Sequence, residues 1–389
     1  MKKQKTILLA GGGSGGHVTP LATIAQEIKL QRPDLQLSYI GAFGDKIASK
    51  MLVESDLVNN YHRILSGKLR RYEGFSGWQK RKLWKSYLYN LRDIFGLSIG
   101  CIQAISLLLF KRPALVFSKG GYPALPVCLA ARILRIPVIT HDSDATSGLA
   151  HRPVRATAKL RLFGVKPTSL QPNWRYVGVP ISVVYQSKIS AQEVEAIKQQ
   201  YGITSKDFIL VTGGGGGARN LNQAILEIMP ELAEKSQIVL LTGKKYYQPT
   251  LADASNLESK LRQRLIIVEF SHDMPNLLRG AQIIVSRAGA TALAEIAAAG
   301  KPSIIVPNDL LPGGHQTQNA NSFIKADATM IVKDYGRMLD ARDLLTKLNL
   351  ILTDHELRQR LADNARQLAV FDSTHRTVEA VFEVLDEKA

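Results

Sequence analysis

The chain has 389 residues, 45% of them hydrophobic and 21% charged, which is typical of a folded globular protein and excludes a disordered or fibrous one. This length suffices for two domains of ordinary size, each with its own core. The formal net charge of +17 favours a partner that carries phosphate: nucleic acid, an anionic lipid headgroup or a phosphorylated substrate. The cysteines Cys101 and Cys128 both lie in apolar runs, which excludes a disulfide scaffold and favours a reducing compartment.

The chain begins with a basic flank and a short apolar run that leads into glycines, MKKQKTILLAGGG. This run is shorter than the apolar core of a secretory signal, so we expect the first strand of the fold here. Similar apolar runs alternate with segments of helical period through both halves of the chain. They predict strands at residues 7–10, 37–40, 115–117, 138–140 and 161–163, and then at 209–212, 238–242, 266–268, 283–285 and 303–306.

Both halves open on the same plan of strand, glycine turn and amphipathic helix. The first opening reads ILLAGGGSGGHVTPLATIAQEI and the second ILVTGGGGGARNLNQAILEIM. Strands that alternate with helices predict parallel sheets covered on both faces. The expected fold class is therefore α/β, with two doubly wound, Rossmann-like domains that face a cleft. We expect the first domain at residues 1–179, the second at 180–366, and a C-terminal helix at about 367–389 that packs back on the first.

Much of the basic excess lies in residues 68–92, KLRRYEGFSGWQKRKLWKSYLYNLR, where aromatic residues are interspersed with lysine and arginine. This composition is typical of a membrane-surface segment. Two other interpretations stay open: a nucleic-acid patch, in which aromatic rings stack on bases, and a solvated, charged helix face. We favour an anionic membrane over nucleic acid, and the residues expected to meet it are Lys80, Arg81, Lys82, Trp84 and Lys85.

An uncharged run follows at residues 94–110. A helix that crosses a membrane needs about 20 apolar residues, and this run is shorter and contains Gly96, Gly100 and Gln103. We therefore expect a buried helix that leads into the strand at residue 115.

Glycine-rich loops follow several of the predicted strands. In open parallel sheets, ligands bind at the carboxyl ends of the strands, and a glycine loop before a helix lets backbone N–H groups approach an anion. The first loop, residues 11–17, lacks the Gly-Lys-Ser/Thr ending of an ATP-binding loop, and no acidic ribose residue of a dinucleotide site follows it. ATP hydrolysis and hydride transfer are thus disfavoured. Further loops on the same edges are Gly120-Gly121-Tyr122, His141-Asp142-Ser143-Asp144 and residues 213–217.

The segment SRAGATALAEIAAAGKPSIIVP, followed by HQTQNA, resembles the donor-binding region of MurG-type transferases, which have the two-Rossmann-domain (GT-B) glycosyltransferase fold. GGGSGGH, SKGGYPA, HDSD, GGGGGARNLNQ and EFSHDM are similar to the family's other motifs, in the same order, over roughly residues 5–335. The resemblance implies transfer of N-acetylglucosamine, with inversion, from UDP-N-acetylglucosamine to a polyprenyl-diphosphate-linked acceptor, the undecaprenyl-linked muramyl pentapeptide. It also implies a peripheral location on the cytoplasmic face of the cell membrane.

The resemblance also implies roles for particular residues. Glu295 would accept hydrogen bonds from the ribose hydroxyls, and the start of its helix would meet the diphosphate. The set expected to bind the UDP-sugar is Ser14, Gly15, Gly16, Asp144, Gly215, Phe270, Ala290, Thr291, Glu295 and Gln316. The set expected to bind the acceptor diphosphate or lipid is Gly13, Gly120, Gly121 and Tyr122.

Catalysis requires a base for the acceptor hydroxyl. His17 is the first candidate, because an imidazole titrates near neutral pH, and a histidine that only caps the helix is the structural alternative. Asp142 would either orient His17 or replace it. Asp142-Ser143-Asp144 resembles the metal-binding Asp-x-Asp of the other major glycosyltransferase fold, but it lies in the first domain, so we expect no protein-held metal and no required cofactor. A magnesium ion would accompany the substrate diphosphates.

The chain departs from the family pattern at several positions, which leaves alternatives open. Asp142-Ser143-Asp144 stands where Glu-Gln-Asn is usual, Gly215 and Ser182 replace a serine and an arginine, and Ala292 and Ala294 replace a threonine and a serine. A related enzyme with another sugar or lipid acceptor, a UDP-sugar 2-epimerase, and a binding module with a degenerate pocket are the other hypotheses. An epimerase would turn over the nucleotide sugar without an acceptor.

Overall fold

The computed structural model describes residues 4–67, 84–148, 150–169, 171–308, 314–336 and 338–387, with side chains from residue 90 onward in the helix that begins at Trp84. The chain folds as two compact units. The first contains the residues up to Pro180 and those from Asp372 onward, and the second spans Ile181–Phe371. The sequence predicted these divisions after residues 179 and 366.

A parallel sheet of seven strands forms the centre of the first unit, in the order β3-β2-β1-β4-β5-β6-β7. Its strands are β1 (Thr6–Ala10), β2 (Gln36–Ala42), β3 (Asn60–Ile64), β4 (Leu115–Ser118), β5 (Val138–Asp142), β6 (Leu160–Phe163) and β7 (Trp174–Tyr176). Its helices are α1 (Gly15–Gln31), α2 (Lys46–Ala48), α3 (Trp84–Lys111) and α4 (Ala124–Ile133), together with the C-terminal helix.

The second unit has a parallel sheet of six strands in the order β10-β9-β8-β11-β12-β13. Its strands are β8 (Phe208–Thr212), β9 (Gln237–Leu241), β10 (Leu265–Val268), β11 (Ile283–Ser286), β12 (Ser303–Ile305) and β13 (Met330–Ile331). Its helices are α5 (Ala191–Tyr201), α6 (Arg219–Leu232), α7 (Tyr247–Ala254), α8 (Ser259–Arg262), α9 (Met274–Gly280), α10 (Ala290–Ala299), α11 (His315–Lys325), α12 (Ala341–Thr353) and α13 (His355–Gln367).

The first strand of each unit shows why its sequence is apolar without interruption. Successive side chains of a strand point to opposite faces of the sheet. Ile7 and Leu9 pack in one core of the first unit, while Leu8 packs in the core on the other side. In β8 of the second unit, Ile209 and Leu210 divide in the same way. Both faces of each sheet are therefore covered by helices, which confirms the predicted α/β class with parallel sheets.

The last helix, α14 (Ser373–Asp386), belongs to the first unit. Val378, Val381 and Leu385 of this helix are buried in the same core as β1 and α1. Lys5 and Arg32 pair with Asp386 at its end, at 3.8 and 3.4 Å. The sequence predicted a start at about residue 367, but α13 continues to Gln367 and the last helix begins at Ser373.

The prediction of a buried helix at residues 94–110 is wrong for one face of α3. Asp93, Ala104 and Leu108 are buried, but six large apolar side chains are exposed. Residues Asn90–Lys111 are long and apolar enough to cross a membrane, by length and composition, and only 22% of their most apolar window is buried. Hydropathy alone does not distinguish an apolar side chain in the core from one on the surface. The exposed apolar residues of α3 are Leu91, Ile94, Phe95, Ile102, Leu109 and Phe110.

Candidate active site

In the first unit, the glycine loops after β1 and β4 interlock. A Cβ atom on Gly121 would lie 2.2 Å from the carbonyl oxygen of Gly12, and the Gly121 backbone has a φ of +82°. Any other residue would both clash and be strained there. The Tyr122 ring lies beside the first loop, since a Cβ atom on Gly13 would come within 2.4 Å of its Cε1 atom. The structure thus brings together Gly13, Gly120, Gly121 and Tyr122, the residues predicted to bind the acceptor.

One backbone donor of the first loop already has a partner within the chain. The Gly13 N–H donates to Asp45 Oδ2 at 2.8 Å, and Asp45 Oδ1 accepts from Ala48 N at 3.1 Å at the start of α2. Helix α1 begins at Gly15, and Ser14 caps it without a side-chain hydrogen bond. A Cβ atom on Gly15 would meet no atom within 4 Å, so packing within the unit does not require glycine there. Ser14 and Gly16 are exposed.

His17 lies in the first turn of α1, half-buried, between the two glycine loops. Its Nδ1 atom is 3.1 Å from the carbonyl oxygen of Lys119. Because a carbonyl oxygen only accepts hydrogen bonds, the Nδ1 atom carries the proton and Nε2 keeps its lone pair. Nε2 has no protein partner among the described residues. Burial, assisted by the Lys119 ammonium, lowers the pKa of His17 to about 4, so the ring is neutral at physiological pH and can accept a proton.

Asp142 is buried at the end of β5 and does not contact His17. Its Oδ1 atom accepts from His151 Nδ1 at 2.7 Å, and its Oδ2 atom accepts from Ser147 at 2.8 Å and from Arg161 at 3.4 Å. Burial alone would raise the pKa of Asp142, but the His151 imidazole, with Ser147 and Arg161, holds it well below its usual range. The hydrogen-bond partner that Asp142 orients is therefore His151, not His17.

The ammonium of Lys119 is buried beside the HDSD segment, where it donates to the Ser143 hydroxyl. Burial lowers the pKa of Lys119 to about 8, while the carboxylates of Asp144 and Asp142 act in the opposite direction. The negative charge of Asp144 also partly opposes the lowering of the His17 pKa. Asp144, predicted to bind the donor, is thus close enough to His17 to affect its titration.

In the second unit, α10 begins at Ala290 directly after β11. Gly289 is its N-terminal capping residue and has no side chain with which to cap the first turn, and a Cβ atom on Gly289 would meet no atom of the described residues within 4 Å. The Asn319 side chain donates to the carbonyl oxygen of Ala288 at 3.1 Å, which fixes the approach to the helix. Among the described residues the start of α10 therefore borders open space, and a helix N-terminus of this kind binds phosphate in many proteins. Ala290 is buried and Thr291 half-buried there.

Glu295 is the sixth residue of α10. It lies beyond the first turn, so stabilisation of the helix dipole does not account for it. Its half-buried carboxylate accepts no hydrogen bond from any residue that the structure describes, and burial raises its pKa to about 7. A desolvated carboxylate without a partner is suited to accept hydrogen bonds from hydroxyl groups of a ligand.

The other predicted donor residues lie in loops at the carboxyl ends of the second sheet. Gly215 is exposed in the loop after β8. Phe270 is 41% exposed after β10, with its ring edge-on to His272 at 4.8 Å. Gln316, in the first turn of α11, uses its side-chain oxygen to accept from Asn308 N at 2.9 Å, and its amide N–H groups have no partner among the described residues.

Two models of one enzyme family match the chain. The glycosyltransferase family 28 N-terminal domain matches residues 7–161, and the glycosyltransferase family 28 C-terminal domain matches residues 208–376. A relative from Listeria welshimeri is 30% identical over 97% of this chain and 99% of its own length. The chain belongs to glycosyltransferase family 28. The relative is named UDP-N-acetylglucosamine--N-acetylmuramyl-(pentapeptide) pyrophosphoryl-undecaprenol N-acetylglucosamine transferase.

Solved structures with the same fold include a MurG and a UDP-N-acetylglucosamine 2-epimerase. The MurG of Acinetobacter baumannii has a TM-score of 0.67 at 22% identity and covers 98% of this chain and 100% of that one. A UDP-N-acetylglucosamine 2-epimerase has a TM-score of 0.66 at 16% identity, over 98% and 96% of the two chains. At these identities the likeness concerns the fold alone, which agrees with the predicted GT-B architecture.

Several residues of this family 28 site were not predicted from the sequence. Three of them are separated from the glycine motifs in sequence and reach the loops only in the folded chain: Asp45, His151 and Arg161. In the second unit, Arg287 pairs with buried Asp334, which also accepts from Asn220 Nδ2 at 2.9 Å. Arg287 lies in the SRAG motif that carries the resemblance, but its partner has no motif of its own.

Some expectations fall outside what the structure describes. Lys80, Arg81 and Lys82 lie outside the described residues, and the side chains of Trp84 and Lys85 do also. Within the described ranges, no group of three or more His, Cys, Asp or Glu residues is arranged to hold a metal ion. Asp142 and Asp144 of the Asp-Ser-Asp sequence do not form such a group.

Proposed function

We propose that this family 28 chain transfers N-acetylglucosamine from UDP-N-acetylglucosamine to a muramyl pentapeptide carried on undecaprenyl diphosphate. The observation that carries the proposal is the 30% identity along nearly the whole length of a relative with that name. The site geometry supports it, because the first unit supplies a neutral base, and the second supplies a helix start and a carboxylate that has no hydrogen-bond partner among the described residues.

His17 is the base in this reaction. The acceptor oxygen forms a bond to the anomeric carbon, the bond from that carbon to the UDP oxygen breaks, and the configuration inverts. The hydroxyl proton passes to Nε2 of His17, the ring nitrogen that has a lone pair when Nδ1 donates to Lys119. With a pKa of about 4, the imidazole returns that proton to solvent readily before the next turnover.

The second unit holds the donor in this proposal. The N–H groups at the start of α10 meet the diphosphate, where the helix dipole stabilises the charge that develops on UDP as it leaves. Glu295 accepts hydrogen bonds from the two ribose hydroxyls, which supply the partners that its carboxylate lacks among the described residues. This division of roles requires no metal held by the protein, and a magnesium ion would arrive with the substrate diphosphates.

We further propose that the enzyme works as a peripheral protein on the cytoplasmic face of an anionic membrane. The exposed apolar residues of α3 lie on one face, with Leu91, Phe95, Ile102 and Leu109 at spacings of about one or two turns. Such a face inserts at the boundary of headgroups and acyl chains, and neighbouring lysines and arginines add attraction to anionic lipid. Lys80, Arg81, Lys82 and Lys85 stand just before this face in the sequence.

The second candidate function is epimerisation of the nucleotide sugar, since an epimerase shares the fold. One assay separates the two: UDP release from several UDP-sugars, with and without the lipid-linked muramyl pentapeptide. We expect release from UDP-N-acetylglucosamine only when the acceptor is present. Interconversion of the sugar without acceptor would establish the epimerase instead. Nucleotide sugars that neither react nor bind would contradict both functions.

A further inference from the structure

A buried chain of hydrogen bonds runs beneath the glycine loop after β4. Asp142 Oδ1 is 2.7 Å from His151 Nδ1, and His151 Nε2 is 2.9 Å from Ser118 Oγ. All three side chains are buried, with Ser118 wholly inaccessible. Because no substrate reaches Ser118, this serine does not act as a nucleophile, and the chain of bonds calls for another explanation.

The positions of the protons in this series of hydrogen bonds follow from Asp142. The His151 imidazole, more than the Ser147 hydroxyl or the Arg161 guanidinium, keeps Asp142 ionised, so its Oδ1 atom only accepts hydrogen bonds. His151 therefore carries a proton on Nδ1. In the neutral ring, Nε2 then accepts from the Ser118 hydroxyl, and each bond has a fixed direction.

Ser118 begins the short segment that contacts His17. The carbonyl oxygen of the next residue, Lys119, accepts from His17 Nδ1, and the Lys119 backbone N–H donates to Ala10 at 2.9 Å. At Gly120 the two imidazoles come together: a Cβ atom there would lie 3.4 Å from His151 and 3.8 Å from His17. The segment whose Lys119 carbonyl orients the His17 ring is thus joined, through the Ser118 hydroxyl, to His151 and Asp142.

We propose that Asp142, His151 and Ser118 form a positioning relay that fixes the orientation and tautomer of His17. The relay holds the Lys119 carbonyl toward Nδ1, so that the lone pair of Nε2 faces the acceptor hydroxyl. The three are positioning residues, since none reaches the reacting atoms. The inference rests on the proposed function for the role of His17 as base, but the tautomer it predicts exists in the free protein.

The network offers a matched pair of variants. Ser118→Ala removes the hydroxyl that links His151 to the Lys119 segment. Ser147→Ala removes a hydroxyl from the same carboxylate, at the similar distance of 2.8 Å, but Ser147 has no bond to that segment. Ser118→Ala loses the bond to His151, whereas Ser147→Ala loses the bonds to Asp142 and Arg161. A merely structural role therefore predicts at least as large an effect from Ser147→Ala.

Two measurements distinguish the variants. The first is steady-state kinetics with UDP-N-acetylglucosamine and the lipid-linked acceptor. We expect Ser118→Ala to lower kcat by about ten- to a hundredfold, since a misplaced reacting group costs about that much, with the KM for the donor unchanged. Ser147→Ala should keep a turnover close to that of the parent enzyme, because the bond between Ser118 and His151 stays in place.

The second measurement needs no substrate. Nitrogen-15 spectra of histidine-labelled protein, with the His17 signals assigned through His17→Asn, report which ring nitrogen is protonated. We expect Nδ1 protonation in the parent and in Ser147→Ala, and a mixture of tautomers in Ser118→Ala. Melting curves show whether each variant is folded. Should Ser118→Ala fail to fold, Asp142→Asn tests the relay at Asp142, because the asparagine amide favours the opposite tautomer of His151.

The proposal is overturned if Ser118→Ala and Ser147→Ala lose turnover to the same extent, or if His17 stays fully Nδ1-protonated in the folded Ser118→Ala and Asp142→Asn proteins. If the parent enzyme has no transferase activity, the proposed function fails, while the nitrogen-15 spectra still decide whether the relay sets the His17 tautomer.

Discussion

At the scale of single residues, burial favours the neutral form of two groups of the site. The neutral form is the deprotonated one for His17 and the protonated one for Glu295. Burial disfavours the charged form of any side chain. It lowers the pKa of His17 to about 4 and raises that of Glu295 to about 7. His17 is therefore ready to accept a proton at neutral pH, whereas Glu295 needs hydrogen-bond donors from a ligand to stabilise its ionised form.

Replacement of His17 tests its role as base. We expect His17→Ala to lower kcat by about a hundred- to ten-thousandfold, the usual contribution of a general base, with little change in UDP affinity by calorimetry. The exposed His355 gives the control variant His355→Ala, which should match the parent. A decrease in kcat of only a few-fold would show that another residue is the base.

Replacement of Glu295 tests ribose binding. Glu295→Ala should raise the KM for UDP-N-acetylglucosamine by roughly ten- to a hundredfold, since a hydrogen bond to a charged group contributes about 1.5–3 kcal/mol. The exposed Glu227 supplies the control, Glu227→Ala. Equal donor affinity in the two variants would remove Glu295 from the site.

The pH dependence of donor binding and of stability should follow the raised pKa of Glu295. Below a pH of about 7 the folded protein keeps Glu295 protonated, so donor affinity should rise as the pH increases through that value. For stability the sign is opposite. The unfolded chain ionises this group at a lower pH, so the free energy of unfolding decreases between the two pKa values, by up to about 3 kcal/mol.

Glu295→Gln removes the charge, so it should abolish this pH dependence. The variant should melt higher than the parent at pH 8 and alongside it near pH 4.5. Thermal melts and calorimetric titrations with UDP at both pH values provide the check. A parent protein that gains stability on going from pH 5 to pH 8 relative to Glu295→Gln would be incompatible with a raised pKa.

At the scale of elements, the sequence predicted the strands that carry the glycine loops and missed the short strands at the edges. β1, β4, β5 and β8 are buried on both faces, and an uninterrupted apolar run identifies them. By contrast, the missed edge strands β3, β7 and β13, of 5, 3 and 2 residues, are only partly buried, so their sequences contain no such run. The site loops were therefore predictable, whereas the contacts of His151 and Asp45 depend on folding of distant segments.

The exposed face of α3 should bind membranes. Replacing Leu91, Phe95 and Ile102 by serine should weaken binding to anionic phospholipid vesicles by at least tenfold, because each buried apolar side chain contributes roughly 1.5–3 kcal/mol. Leu30→Ser, at an exposed position of α1, is the control. Vesicle sedimentation that gives the same binding for both proteins would exclude this face from the membrane contact.

The basic segment before α3 should contribute separately. Neutralising Lys80, Arg81, Lys82 and Lys85 should weaken binding to anionic vesicles by roughly 1 kcal/mol per charge, and binding to neutral vesicles should not change. Equal binding of the variant and the parent to anionic vesicles would leave the segment as a solvated surface.

At the scale of the whole molecule, two units with separate cores should unfold as two transitions. Leu385 is buried in the first core and Leu348 in the second. Either residue replaced by alanine should destabilise its own unit by about 2–5 kcal/mol. In differential scanning calorimetry with and without UDP, Leu348→Ala should shift the transition that UDP stabilises, and Leu385→Ala the other. A shift of both transitions by each variant would indicate a single cooperative unit.

The carboxylate of Asp45 occupies a backbone donor of the glycine loop that is predicted to bind the acceptor diphosphate. An amide N–H has one proton to donate, and the Gly13 amide gives it to Asp45. A phosphate that binds this amide must first displace the Asp45 side chain. If the carboxylate stayed, the two negative charges would repel each other. The evicted carboxylate would also leave the start of α2 without its cap. Loosening of residues 46–53, read as faster amide hydrogen exchange, would then signal that the lipid diphosphate has entered the glycine loop.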